Sequence, residues 1–219
     1  MHNVAQELSD AYFDHMSVFR DGGLEAVLSP DLRRNLGDYS PRRSMQELFQ
    51  AFRHLPPMEQ MQAVDLQTYL PGDILVKVDR TTMAYSLESR APWLDHRLAE
   101  LACRLPAGFK LHGGAGKHVF KQAVAPFLPP ALLTRSKMGF TVPLAAWFRS
   151  SLTTVFPSTV LHKDMEQYIS LGEVRRLWSE HQSGLRDHGQ KLWNLLMLAL
   201  WHGRYRSPRP VAAEVAACG

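Results

Sequence analysis

Two lysines beyond a charged, helix-like run are the residues of this 219-residue chain best suited to chemistry. Lys117 follows Gly113, Gly114 and Gly116 and opens the segment Lys117-His118-Val119-Phe120-Lys121. Glycines let a backbone approach a phosphate closely, and the first turn of a helix offers free N–H groups with partial positive charge. A lysine there suits a phosphate contact; it also suits a solvated surface position at a helix start. The nearest familiar pattern, the Walker A loop, fails: it needs glycine at 111, which is Leu111, and serine or threonine at 118, which is His118. Lys137 sits in the loop pattern Arg135-Ser136-Lys137-Met138-Gly139-Phe140, where Gly139 and Phe140 would hold the backbone near a packed surface. A loop cation can neutralise charge that grows as pyrophosphate leaves. A plain solvated loop lysine is the other reading.

The run from Leu70 to His96 reads LPGDILVKVDRTTMAYSLESRAPWLDH. Asp79 and Met83 stand four apart and share a helix face. Glu88 and Arg90 fall where helix gives way to extended chain. Asp79, Arg80, Glu88 and Arg90 form a buried pair that positions the lysine loop, or cap a helix end; both roles are structural rather than catalytic. The ten histidines show no H-x-x-x-H with a third ligand and the two cysteines do not cluster, so no protein-bound metal site is expected. The G-x-S-x-G elbow of a nucleophilic serine does not occur.

These residues need elements to hold them. Val4, Leu8, Ala11, Tyr12, Met16 and Phe19 have helical spacing within 1–20, closed by Asp21-Gly22-Gly23. Leu24 to Val27 make a helical turn. Ser29 and Ser40 precede prolines as N-caps, the second for a helix over 41–53 that Pro56-Pro57 breaks. Amphipathic spacing runs from Met58 to Leu70, and Pro71 starts a helix over 71–86. Ser89 to Leu94 reads as extended because Pro92 biases Ala91 away from the helical region. Asp95 caps a helix through Arg104, the 113–116 glycines lead into a helix at 116–125, and Pro130 opens a turn to Thr134. Residues 138–143 read as loop, 144–148 as a short helix, 151–170 as weakly patterned, and 171–182 and 188–203 as helices. Leu66, Leu70, Ile74, Met83, Leu87, Leu101, Leu195 and Leu198 are expected in the core. No internal repeat and no βαβ alternation emerges, so the chain reads as mainly α.

A composition 45% hydrophobic and 21% charged suits a globular chain that buries a core. The net charge of +4 comes from basic residues scattered among acids, dense only around Arg204, Arg206 and Arg209. A solvated surface or anionic small substrates account for it, and nucleic acid is not an expected partner. No run of about 18 apolar residues predicts a membrane span. The start, MHNVAQELSD, lacks the basic and apolar regions of a signal peptide. Two cysteines, Cys103 within LAELACRL and Cys218 near the end, fit a reducing cytoplasm, with Cys103 expected as a core thiol. One domain over 1–205 is expected, followed by a disordered tail over 206–219.

The order of the 70–96 run, the G-K-H-V-F-K segment and R-S-K-M-G-F resembles the C-terminal half of the synthetase domain of glutamine-hydrolysing asparagine synthetases, the asparagine synthetase B family. The similarity is closest to the exosortase-associated amidotransferase branch. It covers about residues 1 to 203, densest over 61–149, and the twenty-position spacing of Lys117 and Lys137 agrees with the family pattern. The resemblance implies the helical C-terminal portion of an adenine nucleotide α-hydrolase-like domain, the Rossmann-like PP-loop ATP pyrophosphatase type, with most of the parallel sheet outside this chain. It implies ATP and Mg²⁺ as cofactors, aspartate or another carboxylate as acceptor (a sugar carboxylate in the exosortase-associated branch), and ammonia from glutamine. The carboxylate is adenylated and ammonia displaces AMP to give an amide. It assigns Lys117 to the ATP phosphates and Lys137 to the adenylation transition state, and has residues 79–90 line or brace the cleft.

The family's Met-Cys-Gly start, its S-G-G-x-D-S pyrophosphate loop and its G-E-G-G-D-E segment do not occur in this sequence, which begins Met1-His2-Asn3. The resemblance therefore implies part of an enzyme, separated from its N-terminal glutaminase and PP-loop portion and inactive alone. The second reading is a non-catalytic helical module that packs against a complete synthetase.

Overall fold

Serine and aspartate caps set four of the described helix starts, at Ser29, Ser40, Asp95 and Ser170, and a proline follows directly behind the first two. In the computed structural model, which describes residues 4–20, 22–136 and 142–206, the chain runs α1 (Val4–Met16), α2 (Gly23–Val27), α3 (Pro30–Leu36), α4 (Pro41–Ala51) and α5 (Pro57–Gln67). A π-helical turn over Leu70–Leu75 feeds α6 (Val76–Met83), and α7 (His96–Arg104) and α8 (Ala107–Lys110) follow. A hairpin of β1 (Leu111–His112) and β2 (Ala115–Gly116) precedes α9 (His118–Val124) and α10 (Pro130–Thr134). The chain then forms α11 (Leu144–Phe148), α12 (Val155–Val160), α13 (Leu171–Gln182) and α14 (Gly189–Tyr205). Ser29 Oγ accepts the Leu32 N–H at 3.0 Å, Ser40 Oγ that of Arg43 at 3.4 Å and Asp95 Oδ1 that of Arg97 at 2.9 Å, as their positions in the sequence predict. Residues 138–141 and the expected tail from 207 onward, Cys218 included, lie outside the described residues.

The expected helix over 71–86 forms in two pieces. Pro71 has no N–H to donate to Gln67, and the ladder re-forms with wider π spacing before returning to α geometry at Val76. It stops short of 86 because Ser86 takes a left-handed conformation, φ 58°. The Leu87 N–H then reaches back to Thr82 O at 3.0 Å, a Schellman-type closure. The expected extended stretch before Asp95 contains a 3₁₀ turn at Pro92–Leu94, with Ala91 extended ahead of the proline.

The described residues group into two compact units, one drawn from the ranges 1–13 and 40–139, the other from 14–39 and 140–219. The first has a small core. Phe49 and Val64 are buried, the Tyr12 ring meets Phe49 edge-on at 5.2 Å, and the Tyr12 hydroxyl donates to Asp65. Asp10 accepts from Arg42 at 3.3 Å and from Gln46 at 2.9 Å, joining α1 to α4. Beyond α5 no apolar side chain of this unit is fully buried among the described residues: Leu70, Ile74, Val119 and Phe120 are half-buried, and Met83, Leu87, Leu101 and Phe127 are exposed.

The second unit is densely filled. Phe148, Phe156, Val160, Met165, Val174 and Leu192 are all buried to 2% exposure or less. Trp178 stacks on Phe156 at 4.7 Å and 13°, and Phe148 meets Phe156 edge-on at 5.6 Å. A backbone bridge pins the α2–α3 junction to the approach to α13: Ser29 N–H donates to Tyr168 O at 3.0 Å and Ser170 N–H to Val27 O at 2.8 Å. The weakly patterned stretch 151–170 thus supplies much of this core through α12, Met165 and Ile169.

The expected core is corrected accordingly. Leu195 is buried, but Leu66, Met83, Leu87, Leu101 and Leu198 are exposed, and Leu70 and Ile74 are half-buried. Cys103 is exposed rather than a core thiol. Helical spacing identifies an apolar face without saying whether this chain covers it. No described helix is long and apolar enough to cross a membrane. Phe156→Ala should cost about 3–5 kcal/mol of stability, whereas Leu101→Ala should stay within about 0.5 kcal/mol. Urea unfolding of the two variants checks this; equal losses would contradict the assigned core.

Candidate functional site

The glycine-rich approach to Lys117 is an ordered hairpin. Leu111 pairs with Gly116 and His112 with Ala115, and Gly113 and Gly114 make the tight turn at φ 56° and 77°, the left-handed pair that a two-residue hairpin favours. No heavy atom lies within 4 Å of where a Cβ on Gly113, Gly114 or Gly116 would stand, so this backbone is open to approach. Lys117 itself is left-handed, φ 59° and ψ 33°. That conformation costs a non-glycine residue about 1–2 kcal/mol. It makes Lys117 the N-cap of α9: its carbonyl accepts the Lys121 N–H at 2.9 Å and its side chain is exposed. The sequence places Lys117 at the opening of a helix over 116–125; the structure sets it just outside a shorter one. His112 and His118 stack beside it, ring centroids 4.7 Å apart.

Neighbouring elements fix this junction within the first unit. Trp93 of the RAPWLD segment meets Phe120 of α9 edge-on at 4.5 Å. Lys110 Nζ donates to Gln62 Oε1 at 3.2 Å and to Cys103 O at 3.5 Å, tying α8 to α5 and α7. Asp95 caps α7 and takes a two-point contact from Arg97 at 3.0 and 2.8 Å, which holds its carboxyl below the usual carboxylate range. Two segments separated in sequence, RAPWLD and the lysine segment, therefore meet.

The charged run forms no buried pair among the described residues. Glu88 and Arg90 do pair, but in the open, with side chains 66% and 83% exposed. Such surface pairs contribute about 1 kcal/mol at most. Asp79 and Met83 lie on α6 and both are exposed, and Lys77 reaches Asp73 at 3.5 Å on the surface. Lys137 lies outside the described residues. Among the described residues no group of three His, Cys, Asp or Glu side chains is placed to hold a metal ion. The sequence reading missed the left-handed states of Ser86 and Lys117, because the usual signal for them is glycine or asparagine.

Comparison with known proteins gives this arrangement a lineage. The asparagine synthase family model matches residues 4–203, and the chain belongs to that family. A Mycobacterium tuberculosis protein named as a glutamine-hydrolysing asparagine synthetase is 34% identical over 203 residues, covering 92% of this chain and 30% of that protein. Asparagine synthetase (glutamine-hydrolysing) 1 of Bacillus subtilis is 28% identical over 199 residues, 89% of this chain and 30% of its own. Amidase chry2 of Gibberella zeae is 26% identical over 181 residues, 76% of this chain and 25% of its own. The chain thus spans about 30% of the length of the synthetases it matches. No solved structure matches it.

If Lys117 is kept for its charge at a conformational cost, the cost should be recoverable. Lys117→Gly should be more stable than Lys117→Ala by about 1 kcal/mol, since only glycine takes this backbone conformation freely. Chemical denaturation of both variants measures the difference; a more stable alanine variant would contradict the left-handed assignment.

Proposed function

We propose that this chain is the C-terminal helical portion of a glutamine-dependent asparagine synthetase-type amidotransferase of the exosortase-associated branch, with one synthase domain over 1–205. The observation that carries the reading is the family match across 4–203. In the complete enzyme the Rossmann-like PP-loop sheet and the glutaminase belong to the remaining portion, and that sheet covers apolar surface of the first unit. The non-catalytic helical module remains the second reading, favoured by the thin core of that unit.

The open hairpin and exposed Lys117 fit a triphosphate: an approachable backbone lies next to a cation. Mg²⁺ is assigned to carboxylates of the remaining portion. Bound ATP supplies an electrophilic α-phosphorus; a carboxylate oxygen of aspartate or another acceptor attacks it and pyrophosphate leaves. Ammonia from glutamine then displaces AMP from the acyl carbon to form the amide. Lys117 and Lys137 are read as facing one cleft, offsetting negative charge as it moves onto pyrophosphate. This chemistry needs neither nucleic acid nor a membrane and fits the cytoplasm.

The chain alone should show no aspartate-dependent ATP–pyrophosphate exchange, and mixing it with the missing portion should restore exchange. AMP release by the purified chain would sink the claim that it is inactive alone, and binding without restored exchange would favour the helical module. In a complete enzyme, Lys137→Ala should slow amide formation by about 10²–10³-fold, the range for losing one preorganised donor. Lys117→Ala should also weaken ATP use, and glutaminase activity should survive in both. Unchanged synthesis in either variant removes that lysine from the site.

A further inference from the structure

We propose that His181 is a proton-operated latch in the second unit: neutral, it joins α11, α13 and the start of α14; protonated, it releases α14 and turns to Asp187. The assignment begins from partner chemistry. His181 is wholly buried on α13. Its Nε2 lies 3.2 Å from Ala145 O, which can only accept, and its Nδ1 lies 3.1 Å from the His188 N–H, which can only donate. The ring is therefore neutral, with its proton on Nε2. A second proton would set Nδ1–H against N–H and break the contact with His188, the residue that caps α14. Asp187 Oδ1 waits 3.5 Å from the same nitrogen on an exposed side chain.

The seam around the ring is close-fitting. Arg149 Nε donates to His181 O at 2.9 Å and Gln182 Nε2 to Phe148 O at 2.8 Å, so α11 and α13 are joined at three points. A Cβ on buried Gly189 would meet Ala145 N at 3.2 Å, which shows how closely α14 starts against α11. The charges around the ring come from each neighbour. Beyond α11, Arg149 opposes a second proton; in the turn, Asp187 favours it and His188 opposes it. On α13 itself Glu180 is engaged by His188 Nε2 at 2.7 Å and by Arg176, and on α14 Lys191 reaches over the Phe19 ring at 5.7 Å. Leu144, Ala145, Asp187, His188 and Gly189 also line a cavity of about 740 Å³, so opening the latch reshapes a wall of that space.

Burial holds the His181 pKa below that of an ordinary histidine. The unfolded chain takes up this proton below about pH 6.5 while the folded chain resists. The latch therefore contributes fully above about pH 6.5 and is lost as pH falls through the folded-state value.

Long-range ¹H–¹⁵N NMR on the whole chain tests the proposal. The expected result is a neutral Nε2–H tautomer at pH 7, a midpoint below about 6.5, and a His188 amide whose shift and hydrogen exchange follow that midpoint. Asp187→Asn keeps an acceptor for the Gly189 N–H but removes the charge, so His181 should bind its proton about threefold more weakly. An Nδ1–H tautomer, a midpoint at or above about 6.5, or a His188 amide indifferent to the titration overturns the latch. An unmoved midpoint in Asp187→Asn overturns the exchange of partners.

Discussion

The packing of Phe148 among Phe156, Trp178 and His181 governs the second unit, because these rings bring three helices to one point. Phe148 ends α11, Phe156 sits on α12, and Trp178 and His181 lie one turn apart on α13. Large aromatic side chains bury much area with few rotatable bonds, so this cluster fixes helix positions at low entropic cost. The short α11 and α12, marginal as isolated helices, persist because the long α14 lies along them. The polar seam at His181 forms where this apolar packing has already excluded water, which is why both of its ring nitrogens must be satisfied from within.

The first unit lives under a different constraint. Its buried apolar side chains are few, while Tyr85, Trp93, Phe127 and Leu132 stand largely in the open. Local devices hold it instead: the Schellman closure at Ser86, the Asp95 cap, the hairpin pairing, and Lys110 across α8. Such contacts set conformation over short spans at modest energies, typically about 1 kcal/mol each. The candidate site therefore sits on the less consolidated unit, where surface is available for other polypeptide or substrate.

Sequence reading recovered the helices whose boundaries carry their own chemistry. Ser29, Ser40 and Asp95 announce helix starts in the letters, and those starts formed where expected, whereas Pro71 fell in a π turn rather than at the start of an α-helix. It failed where tertiary context decides. The stretch 151–170 shows little periodicity, yet Phe156, Val160, Met165 and Ile169 fill the larger core, because short turns of helix are too brief to display a period. Conversely, α6 and α7 carry apolar side chains, Val76, Val78, Met83, Leu98 and Leu101 among them, that the described residues leave exposed. The candidate site was legible as motifs, and the meeting of Trp93 with Phe120 was not, since nothing local encodes a contact across 27 positions. Glycines at 113 and 114 hinted at a loop without disclosing two-residue strands on either side.

The π-helical turn at Leu70–Leu75 has a steering effect. Such a turn fits an additional residue into the ladder, and one residue corresponds to about 100° of rotation around a helix axis. Everything after it on α6, Lys77, Asp79 and Met83 included, is therefore turned about 100° from where α spacing kept through 70–75 would direct it. Deleting a single residue within 70–75 would leave hydrophobicity and charge almost unchanged, yet turn this exposed charged face in a different direction. The motif's message thus lies partly in its length, a property that residue identity alone does not convey.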